Sequence, residues 1–454
     1  MRRLGVVLPL LVACGGAATQ EPSVALVVGS ASASAPVAVT SAVPVPSASP
    51  SSRENRLIAR TMKRVSRARG LAATRTVPGV VLSRSDLIAK VKEHVVREVP
   101  PAAIENEGVG LKLLGFIPAS LDYQGAEFEL LEEQLAGYYE PADGTMYLAA
   151  DLDDTDADAT LAHELVHALQ DQHWNLAESS KYRPGDGDRS ETMSALAEGD
   201  ATSAMFDVML AKVDKLAPDL PDDLFSQQLR AGMNTGKVAA SPQYMRSSLV
   251  APYQYGTLFV HALRRRGGWA QVNRAWEAAP STTEQILHVA KYDAHEGAIA
   301  LASLGVPGPG WKVDDDDAEG ELGVRIAFEE WMPEETAATF ATGWGGDRSV
   351  VVSNGNDHAV AWHVRYDPTT TEAFVARAFN AVAAGLETKL GAPKVKSAGA
   401  VCFERSDLGP FAVAHAARDL VFVAGSAAGN GAKWVSSSTC ARANAWVAQI
   451  SKGP

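Results

Sequence analysis

His163-Glu164-Leu165-Val166-His167 lies within residues 160–172, a run whose composition predicts a helix. Residues four apart stack on one helical face, so His163 and His167 can each aim an imidazole nitrogen at one point. A zinc ion accepts two such nitrogens and needs at least one further protein ligand. Glu164 is rotated one residue from His163. It can flank the ion without binding it, where a carboxylate takes a proton from metal-bound water. Two ligands and a base therefore occupy five residues. The plainer alternative is a solvated helix face with two satisfied histidines. Leu161, Leu165 and Leu169 argue against it, because they form an apolar stripe, widened by Val166, that leaves the histidines on another side.

The third ligand has several candidates. His173 stands six residues past His167, the spacing of the third histidine in metzincin zinc peptidases. Those enzymes place a glycine midway so that the chain can turn back. Here the midway residue is Gln170, and a continued helix carries His173 around the cylinder. A second expected helix, residues 190–212, has Met193, Leu196, Ala197, Ala204, Met205 and Val208 on its buried face. Glu198 sits among small residues there and is the preferred ligand. Glu191, seven residues earlier and on nearly the same face, is a weaker one. Gly199 costs a helix about 1 kcal/mol relative to alanine, so its presence points to a close approach by a neighbour.

At these residues the chain resembles the gluzincins, the thermolysin-like zinc peptidases with H-E-x-x-H on one helix and a ligand glutamate on a later one. More narrowly, it is similar to bacterial exported proteins that carry H-A-L-Q-D-Q and E-G-D-A, here His167 to Gln172 and Glu198 to Ala201. The resemblance covers about residues 130–292. It implies His163, His167 and Glu198 as zinc ligands and Glu164 as the base. Thermolysin-like enzymes also place an aspartate four residues after the ligand glutamate to orient a histidine. That position is Thr202 here, and Asp200 points elsewhere on an ideal helix, so the orienting partner stays open.

Upstream of the motif, two aromatic β-prone runs, Gly137 to Glu140 and Thr145 to Ala149, flank an Asp143-Gly144 turn and read as a hairpin. One of its strands can border the cleft, and an exposed edge there could pair with an extended peptide. Asp151, Asp153, Asp154, Asp156 and Asp158 read as a solvated loop whose last members cap the helix, since a calcium loop's glycine and glutamate are missing. Ser83 or Ser85 should cap a helix carrying Leu87, Val91 and Val95, and another helix should run over residues 101–114. The basic segment 53–75 reads as a solvated first helix, or as one lying near anionic lipid.

Residues 1–14 read as an export signal. Arg2 and Arg3 precede an apolar run too short to span a membrane stably, ending Leu11-Val12-Ala13-Cys14-Gly15. This resembles a bacterial lipobox, which implies acylation of Cys14 and, with Gly15 rather than aspartate next, the outer membrane. Residues 15–52, rich in Ala, Ser, Pro and Val, read as a disordered tether.

Downstream, a helix is expected from Pro252 to Leu263, ended by Gly267-Gly268, with another over residues 269–279. Tyr253, Tyr255 and His288 are candidate donors for the oxyanion of peptide hydrolysis. Beyond residue 300 the pattern changes. Residues 314–317 read as a solvated acidic linker, 349–353 and 359–366 as a hairpin, and 371–390 as a long amphipathic helix. Strands follow at 401–405 and 411–425, and His358, His363 and His415 read as structural. Cys402 and Cys440 are candidates for a disulfide.

The expected fold is therefore α+β. A mainly helical zincin-like domain, residues 53–300, carries a small β-hairpin or sheet beside the cleft. A C-terminal α+β unit, residues 301–454, carries a mainly antiparallel sheet. A net charge of −13 argues against a nucleic-acid partner. The expected function is a lipid-anchored envelope peptidase acting on a peptide or protein substrate, with Zn2+ as cofactor and Glu164 as general base. The alternative is a binding or structural lipoprotein with a stabilising zinc site. An intact Glu164 weighs against that, because a structural site needs no base and usually closes with a fourth ligand. A third reading keeps the enzyme but takes His173 as its ligand.

Overall fold

Leu161, Leu165 and Leu169 are fully buried, and the stripe they form sets the packing of the first half of the molecule. The computed structural model describes residues 52–151, 154–234, 236–430 and 433–452. The export signal, Cys14 and residues 15–51 of the tether lie outside them, as does Asp153. The chain begins with α1 (Ser52–Arg69), β1 (Gly79–Leu82), α2 (Arg84–Glu98), α3 (Pro101–Leu114) and α4 (Tyr123–Gln134). The hairpin β2 (Gly137–Glu140) and β3 (Thr145–Ala149) leads into α5 (Asp154–Trp174), α6 (Leu176–Ser179) and α7 (Gly187–Leu210). Then come α8 (Asp222–Met233), α9 (Gly236–Ala240), α10 (Gln243–Gly267), α11 (Trp269–Glu277), α12 (Thr283–Leu287) and α13 (Val289–Asp293).

Ser83 caps α2 by accepting from the Asp86 amide, and Pro101 opens α3 where its missing N–H costs nothing. β3 is the middle of a three-stranded sheet, parallel to β1 and antiparallel to β2. The basic first helix is not solvated all round. Ile58, Met62 and Val65 of α1 pack with the α5 leucines and with Ala201, Ala204 and Met205 of α7. Helix α10 begins well before Pro252, which stands inside it.

The C-terminal part runs β4 (Lys312–Asp317), α14 (Gly320–Glu329), α15 (Glu334–Ala341), β5 (Trp344–Asn354), β6 (Asp357–Tyr366) and α16 (Glu372–Leu390). It continues with β7 (Val395–Ser397), β8 (Ala400–Phe403), β9 (Phe411–Ala416), β10 (Asp419–Asn430), β11 (Lys433–Ser436) and α17 (Cys440–Ser451). The strands form one eight-stranded antiparallel sheet in the order β4-β5-β6-β10-β9-β8-β7, with β11 paired to β10. The fold is α+β, as expected.

Alternate strand residues face opposite sides of this sheet. Val351, Val360, Trp362 and Phe422 meet α14 and α16, while Val350, Val352, Val421 and Val423 meet Trp446, Val447 and Ile450 of α17. Gly355, at φ +62°, makes the tight turn between β5 and β6. The expected strand 411–425 is two strands, broken at Ala417 and Arg418. Cys402 and Cys440 are bonded, joining β8 to the start of α17.

The acidic run 314–317 is an edge strand rather than a solvated linker. Asp317 is fully buried and accepts from the Gly187 amide at 2.8 Å, while Asp316 pairs with Arg348. A strand alternates its faces, so an acidic run can place alternate carboxylates inside when amides wait for them. One apolar cluster contains Ala195, Leu196, Tyr253 and Phe259 together with Leu322, Phe328, Trp344 and Trp362. Packing is therefore continuous across position 300.

Candidate metal centre

His163 and His167 leave α5 on the side away from the leucine stripe, and α7 delivers Glu198 to the same point. His163 Nε2 lies 3.0 Å from Glu198 Oε2 and 3.1 Å from His167 Nε2, and His167 Nε2 is 3.6 Å from Glu198 Oε1. A tetrahedral zinc ion with bonds of about 2.0–2.1 Å spaces its ligands about 3.3 Å apart. The three edges bracket that value. Glu198 Oε1 and His163 Nδ1 are buried without a hydrogen-bond partner. Two imidazole Nε2 atoms face each other beside a carboxylate, an arrangement that needs a proton or a cation between them. The donor set fits zinc on both counts.

The close crossing of α7 and α10 supports Glu198 from behind. A Cβ on Gly199 would lie 2.1 Å from the Gly256 carbonyl carbon, and one on Gly256 would lie 1.8 Å from the Ala195 oxygen. The expected reason for Gly199 is thus borne out, and its partner is a second glycine.

Burial is nearly complete: His163, Glu164 and Glu198 are 0% exposed and His167 is 1% exposed. Burial disfavours charge and lowers His163. It also opposes charge on His167, but Glu198 outweighs it and holds that imidazole up at about 9. Burial pushes Glu198 up, but the two histidines more than reverse this and leave it below its ordinary value. Glu164 is pushed up to about 8, because burial outweighs the lowering by the His167 charge and the Tyr139 amide. Its Oε2 accepts from the Tyr139 amide at 2.9 Å, while its Oε1 has no hydrogen-bond partner. β2 is therefore an edge strand beside the centre, but it is not exposed. All four of its residues are buried, and the Tyr139 amide is already used.

The other candidates are dispersed. Tyr253 on α10 stacks toward His163, with ring centroids 6.0 Å apart. Tyr255, two residues on, is turned to the far side of α10. Its ring lies under the Arg325 guanidinium at 4.7 Å and lines a separate cavity of about 250 Å³ with Arg230, Glu329 and Glu334. His288 shares a 2.8 Å hydrogen bond with Glu321. Neither Tyr255 nor His288 is brought against the triad by these contacts. His173 donates from Nε2 to the Ala72 oxygen at 2.8 Å. Among the described residues the donor cluster is His163, His167 and Glu198, without His173 or Glu191. The other acidic cluster, Glu284, Glu296 and Asp367, is filled by the Lys291 ammonium.

Asp200, Gln170 and the Tyr139 amide make contacts that the sequence motifs did not assign. Asp200 does not serve a histidine. It forms a buried ion pair with Arg69 and accepts from Trp276 Nε1 at 2.8 Å. The residue bonded to His167 Nδ1 is Gln170, at 2.8 Å. Its i+3 spacing from His167 was a legible signal, whereas the Tyr139 amide left none.

Residues 311–433 match a family model described as a domain of unknown function (DUF8575). The match covers most of the C-terminal sheet and leaves the metal centre outside. No curated protein matches the chain. Among the described residues, no helix is long and apolar enough to cross a membrane.

Proposed function

We propose that the chain is a zinc-dependent peptidase of the gluzincin type, held at the cell envelope, with the outer membrane favoured, by a lipid on Cys14. The observation that carries this reading is the convergence of His163, His167 and Glu198 with a non-ligand carboxylate, Glu164, beside them. Bound zinc supplies Lewis acidity, which polarises a carbonyl and makes water acidic enough to attack at neutral pH. Glu164 is anchored through Oε2 by the Tyr139 amide, so its free Oε1 is the atom that takes the water proton and returns it to the leaving amine. Tyr253 is the candidate hydroxyl donor for the oxyanion, because its ring faces His163. A closed, apolar setting strengthens each of these interactions. A peptide reaches the triad only when the elements around it separate.

That same burial favours a second reading, a binding or structural protein whose zinc only stabilises the fold. Metal analysis of the mature protein, together with hydrolysis of a peptide library, separates the two. The expected result is one zinc per chain, and hydrolysis that a chelator abolishes and zinc restores. Glu164→Gln should keep its zinc and lose activity by about 10²-fold to 10⁴-fold. Full activity in that variant would remove Glu164 from its role, and zinc without any hydrolysis would favour the structural reading.

A further inference from the structure

Gln170 is fully buried three residues past His167, and both ends of its carboxamide are engaged. Its nitrogen donates to the Ala197 oxygen at 2.9 Å. A carbonyl only accepts, so the amide group must face Ala197 and the Gln170 oxygen must face His167. His167 Nδ1 is therefore the donor in the 2.8 Å contact, and Nε2 is left as the nitrogen that turns toward His163 and Glu198. Ala197 directly precedes Glu198 in α7. One side chain thus bridges the helix of the two histidines and the helix of the carboxylate. His163 has no equivalent, since its Nδ1 is buried without a partner. Asp200 is bound to Arg69 and Trp276 instead.

We infer that Gln170 is a positioning residue for the metal centre. It fixes the ring of His167 through its oxygen, while its nitrogen ties α5 to the α7 backbone and so serves the stability of the fold. This rests on the zinc reading of the triad, and it predicts that the two halves of the carboxamide have separable effects.

Two substitutions test it, each read by zinc affinity in competition with a chelator and by thermal unfolding of the metal-free protein. Gln170→Met keeps the volume and removes both hydrogen bonds. It should weaken zinc binding about 10-fold to 100-fold, the usual range for a lost partner of a ligand histidine. Gln170→Glu keeps an acceptor for His167 Nδ1 but offers the Ala197 oxygen no donor. It should unfold at lower temperature without metal while holding zinc within about threefold of the parent. Where the methionine variant fails to fold, the glutamate variant carries the test alone. Parent-like affinity in Gln170→Met, or a weakening in Gln170→Glu beyond that threefold bound, would overturn the inference while leaving the zinc reading intact. A parent protein that binds no zinc would overturn both.

Discussion

Glu140 ends β2 with its carboxylate held from three sides, at 2.9 Å by His94 Nδ1, at 3.2 Å by Arg97 and at 3.2 Å by the Ala142 amide. Burial alone would raise its pKa, but His94, the amide and Arg97 outweigh it and hold the group at about 2, against an ordinary 4.5. A carboxylate with a depressed folded-state pKa contributes stability that is complete above its unfolded value. That stability is lost as pH falls through the folded one. Here the window runs from 4.5 down to about 2 and is worth on the order of 3 kcal/mol. Unfolding free energies of the parent and Glu140→Gln should converge as pH is lowered through that window. A constant gap between them would show that Glu140 is not held in this way. Glu164 behaves oppositely: burial raises it further than His167 and the Tyr139 amide lower it, so the balance between burial and partners decides the sign.

Helices α7 and α10 cross at Gly199 and Gly256 with no room for a side chain on either. In isolation Gly199→Ala would favour the helix by about 1 kcal/mol. In the folded protein its Cβ would meet the Gly256 backbone, and overpacking of this kind costs about 1–3 kcal/mol or more. The clash cannot be relieved by a rotamer, because both partners are backbone. The expected outcome is net destabilisation in denaturant unfolding, with weaker zinc binding because Glu198 is the preceding residue. Gly232 in α8 has open space around it, so Gly232→Ala should leave stability unchanged or raised. Equal, harmless behaviour of the two variants would count against the close crossing.

At the scale of the molecule, α7 and the C-terminal sheet share one apolar cluster, and Asp317 of β4 receives the Gly187 amide at the start of α7. The disulfide closes a 38-residue separation between β8 and α17, worth about 3–4 kcal/mol in loop entropy. Replacing Cys402 and Cys440 by alanine should lower the unfolding midpoint. Sheet unfolding, followed by hydrogen exchange of the β6 and β10 amides, should coincide with release of zinc loaded onto the protein. Separate transitions would show that the sheet and the metal centre unfold independently.

Much of this was legible in local pattern. The four-residue spacing of the histidines, the leucine stripe, the Ser83 cap and the hairpin around Asp143-Gly144 are local features of helices, caps and turns. Gly199 announced a close neighbour by its cost to a helix. Glu198 was reachable as a carboxylate set among small residues with Gly199 after it, although α7 is buried on every side from Glu191 to Met205. Long-range packing decided the rest. Arg69 meets Asp200 across 131 residues, β4 buries acids that read as linker, and Tyr253 rather than Tyr255 faces His163. Local periodicity sets how side chains are spaced around an element. It leaves undetermined which neighbour each face meets, because that depends on how elements distant in the chain pack into a shared core.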